Sequence, residues 1–343
     1  LGSTGFGPPA RPTTQSGGCA MTEPDASESP LSPVNIDSPA VGNREQFLQF
    51  SRQRAQDGPP RIDRGRHFAS LGVTAPVVEW WATTRGHWHP PHRIVSCLFL
   101  PPQPATHETA LIAEGARLAD HLSITQRVIP TMPSASGGDE WLRHGAAVAD
   151  EEIDSGADLL IVGDIGNRDA NAAAAIIALL TQSNAAEVLG EQVVGLTDDE
   201  WVRACVEIRD AMAQGRPDRG NGTHLLSSIG TPAIGALTGF IVQAARRRTG
   251  VLIDGPAGMA AALIAHRAAI RARHWWLVTD SADDAGARKA AERLGLPPMI
   301  PLGMGFSEAR GALFTAALLT AVTSMLNDPE HPLASPEGTT VRQ

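Results

Sequence analysis

Four short stretches of this 343-residue chain carry residue types that could do chemistry. The first is Gly163-Asp-Ile-Gly166, a glycine turn that follows the unbroken apolar run Leu159-Leu-Ile-Val162 and opens into an alanine-rich segment. A buried strand that ends in glycines and feeds a helix is a ready anion site, because free backbone N–H groups and the positive end of the helix dipole meet there. The same glycines suit any turn between a strand and a helix, so a bound phosphate and a plain connection both fit. Arg168, just beyond, adds a guanidinium able to hold a phosphate through two hydrogen bonds. The second stretch is Asp254-Gly255, where the strand-like Val251-Leu-Ile253 again ends in a glycine ahead of an alanine-rich segment. Two such strand ends fall on the carboxyl edge of one parallel sheet, where the ligand crevices of open α/β folds lie. The third is Glu308, which taken alone reads as a carboxylate at the start of a helix. The fourth is His87-Trp-His89-Pro-Pro-His92, whose three imidazoles could converge on one metal ion. Two prolines stiffen that loop and neither a carboxylate nor a cysteine is near it in sequence. A surface loop with stacked aromatics is therefore expected, and no metal site is assigned.

Positioning these residues requires a sheet. Ile94-Val-Ser-Cys-Leu-Phe-Leu100, Ile124-Thr-Gln-Arg-Val-Ile129, Leu159-Leu-Ile-Val162 and Val251-Leu-Ile253 read as strands, the last two as strands buried on both faces. Helical patterns lie between them, which is the alternation of βαβ units. Thr197 or Asp198 reads as the cap of an amphipathic helix. Residues 213–223 read as a polar loop. Gly230 to Gly239 is expected to precede a helix ending in Arg246-Arg-Arg248, basic residues well placed at a negative helix end and expected to be solvated rather than a binding patch. Upstream, Phe47, Leu48 and Phe50 suggest a helix from Asn43 to the breaker Asp57-Gly-Pro-Pro.

A net charge of -9, with Lys289 the only lysine, argues against a nucleic-acid-binding surface. Cys19, Cys97 and Cys205 lack metal-type spacing and suit a reducing cytoplasm. No apolar run approaches the ~18 residues of a membrane span. The expectation is a cytoplasmic protein with no membrane partner. Residues 1–43 are rich in Gly, Pro, Ser and Thr and are expected to be a disordered tail, with Met21 resembling a natural start and residues 1–20 an upstream extension.

The run Ala149-Asp-Glu-Glu-Ile-Asp-Ser-Gly-Ala-Asp-Leu-Leu160, with Gly163, Gly166 and the alanines after Asn171, resembles the phosphate-loop region of nicotinate-nucleotide:dimethylbenzimidazole phosphoribosyltransferases. The family pattern there is D-E-x-x-x-G-A-D-L-L followed by G-[ED]-M-G-I-G-N-T-T-A-A-A-A. Further likeness follows in family order: Gly195, Asp198, Trp201 and Arg203; Val251 through Asp254-Gly255; Trp275, Trp276 and Gly286; and Leu294-Gly-Leu through Met304 to Glu308. It spans about residues 65–327 and is strongest from Ala146 to Ser324. Departures are Pro101 after the first strand, Arg168 at the family's third glycine, Ala204 at its lysine, Asp280 at a histidine, and Ser307, Ala309 and Arg310 around the glutamate.

The resemblance implies an α/β fold, an open, mostly parallel Rossmann-like sheet flanked by helices, with a small helical subdomain from both chain ends. The implied layout is a helical arm at 44–92, a core at 93–305, a C-terminal helical segment at 306–330 and a disordered tail at 331–343. It implies a homodimer that moves the phosphoribosyl group of nicotinate mononucleotide to a benzimidazole-type base, giving α-ribazole 5′-phosphate for the lower ligand of cobamides. Glu308 falls on the family's general base. Gly163, Gly166, Arg168, Gly195, Asp254, Gly255 and Met304 are the implied substrate-binding residues, and no metal or cofactor is needed. The altered motifs leave open a second class, a catalytically degenerate homologue acting as a nucleotide-binding or partner protein.

Overall fold

The computed structural model describes residues 68–101, 104–131, 137–163, 169–190, 196–280, 284–300 and 309–327. Five strands, β1 (Ile94–Leu100), β2 (Thr125–Pro130), β3 (Leu159–Val162), β4 (Gly250–Ile253) and β5 (Trp276–Val278), form one sheet in the order β2-β1-β3-β4-β5. All four pairings are parallel, in registers that set Val95 opposite Thr125, Ile94 opposite Leu159, Leu159 opposite Gly250, and Val251 opposite Trp276. Each of β1, β3, β4 and β5 is buried along its whole length, which is why β3 and β4 read as strands buried on both faces; β5 is not among the strands expected from the sequence. The edge strand β2 is mostly exposed or half-buried, and its sequence is correspondingly mixed.

Alternate residues of each strand feed opposite faces. On one face Val95, Cys97, Leu160, Val162, Val251 and Ile253 pack with α3 (Gly138–Asp154), α4 (Ala170–Thr181), α8 (Pro232–Arg246), α9 (Gly255–Ala268) and α10 (Ala285–Leu294). On the other, Ile94, Leu98, Leu159, Ile161, Leu252 and Leu277 pack with α1 (Ala75–Arg85), α2 (Thr106–His121) and α11 (Arg310–Leu326). Helices from near both chain ends, α1 and α11, thus meet on one face of the sheet. The β1-to-β2 connection, α2, lies on that face, whereas α3, α4 and α9 lie on the other. The carboxyl edge between β1 and β3 is therefore the topological switch point, where open α/β sheets form their ligand crevice.

The remaining helices are α5 (Ala185–Leu189), α6 (Asp198–Gly215) and α7 (Gly222–Ile229). They shorten the polar loop expected at 213–223 to residues 216–221. Helix α6 runs to Gly215, a 3-10 turn covers Arg216–Asp218, and α7 begins at Gly222, where the Asn221 side chain accepts hydrogen bonds from the N–H groups of Thr223 and His224. The stretch expected to precede a helix at Gly230 to Gly239 is largely inside one: Thr231 caps α8 and Pro232 is its first residue. Its glycines are there for contact. A side chain at Gly239 would run into the carbonyl of Leu142, and one at Gly145 into the carbonyl of Ala236, so α3 and α8 touch backbone to backbone. Arg247, at the end of α8, is not simply solvated but pairs with Asp150 and Asp154 of α3.

Candidate functional site

The carboxyl ends of β3, β4 and β5 meet the first turn of α11. Gly163, directly after β3, lies against Ala309: a Cβ built on Gly163 would stand 2.7 Å from the Ala309 Cβ and 2.9 Å from its Cα. Ala309 is fully buried and left-handed, with φ 59° and ψ 27°. An alanine there carries the strain of a Cβ facing its own carbonyl, about 1–2 kcal/mol. The family pattern places a glycine at this position, and the backbone angle explains why.

Helix α11 has no side-chain cap from Ala309. Asp254, at the end of β4, supplies one from another element. Its Oδ2 accepts from the Ala312 N–H at 3.2 Å, its Oδ1 accepts from the Gly255 N–H at 3.1 Å, and its own N–H donates to the Val162 carbonyl at 3.0 Å. One residue thus joins β3, through its backbone N–H, to the first turns of α9 and α11, through its carboxyl. Asp254 is buried, and burial pushes its pKa up to about 7; the backbone donors oppose the shift and the nearby charge of Asp280 adds to it. Asp280, two residues past β5, is also buried, and Gly311 fills the gap between the two acids: a Cβ on Gly311 would stand 2.7 Å from the Asp280 Cβ and 3.0 Å from the Asp254 Oδ2. Arg310 bonds Glu114 of α2 at 3.1 Å. That ion pair ties α11 to α2 on the face beside the β1–β3 switch point.

Of the residues singled out in the sequence, Gly163, Asp254 and Gly255 lie together on this edge. Gly255 has φ +78°, which requires glycine, and its N–H is taken by Asp254. Gly166, Arg168, Gly195, Met304 and Glu308 lie outside the described residues. Glu308 is the chain neighbour of Ala309. Sequence reasoning passed over Ala309, Gly311 and Ala312 as contributors. A usable signal was present for the first, since a motif glycine beside a functional residue points to a positive φ.

Among the described residues no group of three or more His, Cys, Asp or Glu side chains is placed to hold a metal ion. The rings of His87 and His89 lie with centroids 5.1 Å apart but are tilted by 47°, a ring contact and not the stack expected of this loop. The loop is pinned by its backbone: the Trp81 Nε1–H donates to the His89 carbonyl, the Asn327 side chain to that of Trp88, and the His92 N–H to Asp158. Burial, and then His89 beside it, lowers the pKa of His87. Thr197 caps α6 in a reciprocal arrangement with Glu200, as its position suggested, and those hydrogen bonds lower the Glu200 pKa.

Residues 130–331, more than half of the chain, match the model of a phosphoribosyltransferase family. The chain belongs to that family. Among its relatives, the nicotinate-nucleotide–dimethylbenzimidazole phosphoribosyltransferase of Streptomyces avermitilis is 38% identical over 183 residues, 53% of this chain and 49% of that protein. The protein of the same name from Mycobacterium tuberculosis is 39% identical over 183 residues, 53% of this chain and 50% of its own length. The chain spans about half the length of the curated relatives it matches. Its fold is similar to that of CobT from Thermus thermophilus, with a TM-score of 0.65 at 21% identity, over 85% of this chain and 99% of the other. Among the described residues no helix is long and apolar enough to cross a membrane.

Proposed function

We propose that this phosphoribosyltransferase moves the phosphoribosyl group of nicotinate mononucleotide onto a benzimidazole-type base, giving α-ribazole 5′-phosphate for the lower ligand of cobamides. The observation that carries the reading is the meeting of Gly163, Asp254 and Ala309 on one edge, because they come from three separate motifs of the resemblance and Ala309 is joined directly to Glu308. The names of the relatives support it.

The chemistry asked of the chain is modest. An azole nitrogen of the incoming base attacks C1′ of the ribose, and the bond from C1′ to the nicotinate nitrogen breaks with its electron pair going to that nitrogen. Glu308 takes the proton from the azole N–H. Gly163, Gly166 and Arg168 hold the phosphate at the end of β3, with Gly195 and Met304 completing the substrate contacts. Gly255 shapes the same edge through its backbone. The protein works as a cytoplasmic homodimer in this reading.

The test is incubation of the purified protein with nicotinate mononucleotide and 5,6-dimethylbenzimidazole, following released nicotinate. Transfer is expected in the wild type, and Glu308→Gln should lower turnover by ~10² to 10⁴ while leaving nucleotide affinity in place. Nucleotide binding with no nicotinate release would instead identify a catalytically degenerate homologue.

A further inference from the structure

The helix that follows Glu308 begins without a cap of its own, and the group that caps it belongs to a different strand. The Asp254 carboxyl receives hydrogen bonds from the backbone N–H groups of Gly255 and Ala312, so the N-terminal ends of α9 and α11 converge on one buried acid. Two helix N-termini directed at one point would otherwise attract an anion. Here the chain's own carboxyl takes that place. The same contact sets the height of α11 over the sheet. With Ala312 held by Asp254, and Gly311 between Asp254 and Asp280, Ala309 has one position, against Gly163.

We propose that Asp254 is a positioning residue for phosphoribosyl transfer: it clamps the first turn of α11 to the end of β4 and thereby fixes Ala309 against Gly163. This rests on the transfer reading above. Asp254 touches neither reacting atoms nor substrate in this role, which replaces the substrate contact that the resemblance implied for it. Its consequence is kinetic. A misplaced catalytic group costs on the order of 10²-fold in rate without a matching loss of ground-state binding.

Two variants approach the clamp from opposite sides. Asp254→Asn leaves one acceptor oxygen for the two N–H donors, and Gly311→Ala pushes α11 away while leaving Asp254 unchanged. Both are to be compared with wild type by thermal melting, by calorimetry with nicotinate mononucleotide, by steady-state nicotinate release and by hydrogen exchange of the 309–319 segment. The expected result is a folded protein that binds nicotinate mononucleotide within about threefold of wild type, turns over on the order of 10²-fold more slowly, and exchanges its Ala312 amide faster. Folded variants with wild-type turnover would overturn the proposal, as would parallel losses of affinity and turnover, which mark a structural role. A wild type that releases no nicotinate sinks the transfer reading and the kinetic role together, and the exchange measurement then still decides whether the clamp exists.

Discussion

Replacing Gly163 by alanine tests the contact between β3 and the start of α11. The new Cβ would stand 2.7 Å from the Ala309 Cβ, 2.9 Å from its Cα and 3.1 Å from its nitrogen. Carbon atoms prefer about 3.5–4.0 Å, so roughly 1 Å of separation must be found, and overpacking of this kind costs ~1–3 kcal/mol. Neither side yields easily, because Gly163 continues a central strand and the Ala309 turn is tied to Asp254 through Ala312. Ala309→Gly should act the other way. It relieves ~1–2 kcal/mol of left-handed strain, offset by ~0.5–1 kcal/mol for the greater freedom of glycine in the unfolded chain. Because that change also removes one of the two clashing methyls, the double variant should be about 1 kcal/mol more stable than the two single effects predict; the Cα and nitrogen contacts remain, so relief is partial. Urea denaturation of the four proteins, compared at constant m, gives the coupling. Additivity within ~0.5 kcal/mol, or a Gly163→Ala protein as stable as wild type, would show that Ala309 does not rest on Gly163.

The raised pKa of Asp254 predicts a pH-dependent stability. Between the ordinary value of 3.8 and about 7 the folded protein holds a proton that the unfolded chain releases, so this group's contribution falls as pH rises through that window, by up to ~4 kcal/mol. Stability curves of wild type and Asp254→Asn should therefore converge or cross between pH 4 and 7; parallel curves would deny Asp254, with Asp280 beside it, a proton in that range. Arg168→Gly should weaken nicotinate mononucleotide binding by ~1.5–3 kcal/mol in calorimetry, the value of a hydrogen bond to a charged group, and tighter binding would mean that the guanidinium blocks the phosphate position. Gly145→Ala should destabilise the fold by about 3 kcal/mol or prevent it, since α3 and α8 must separate along their contact; an unchanged urea midpoint would refute that packing.

Much of the scaffold was legible in the chain. β1 and β3 lie where their apolar runs stand, and the Thr197 cap and the Asp254-Gly255 strand end follow from local chemistry. A buried strand needs apolar residues in succession and a helix start needs an acceptor, and both requirements act over a few neighbours. The errors at 213–223 and 230–239 have a shared cause. Glycines and polar residues there suggested irregular chain, but Asn221 and Thr231 caps start helices, and Gly235 and Gly239 serve a neighbouring helix rather than a turn.

Local pattern was enough for the parallel α/β scaffold, for the likeness to a phosphoribosyltransferase family and for the glycines that end the central strands. What those residues do to one another came from the folded arrangement alone. Gly163 is held to glycine by Ala309, and α11 is capped by an acid 58 positions before its first-turn donor. Periodicity and capping rules describe what a residue asks of its near neighbours along the chain. Contacts between distant segments depend on how the sheet brings their ends to one edge, and no local pattern encodes which backbone will arrive there.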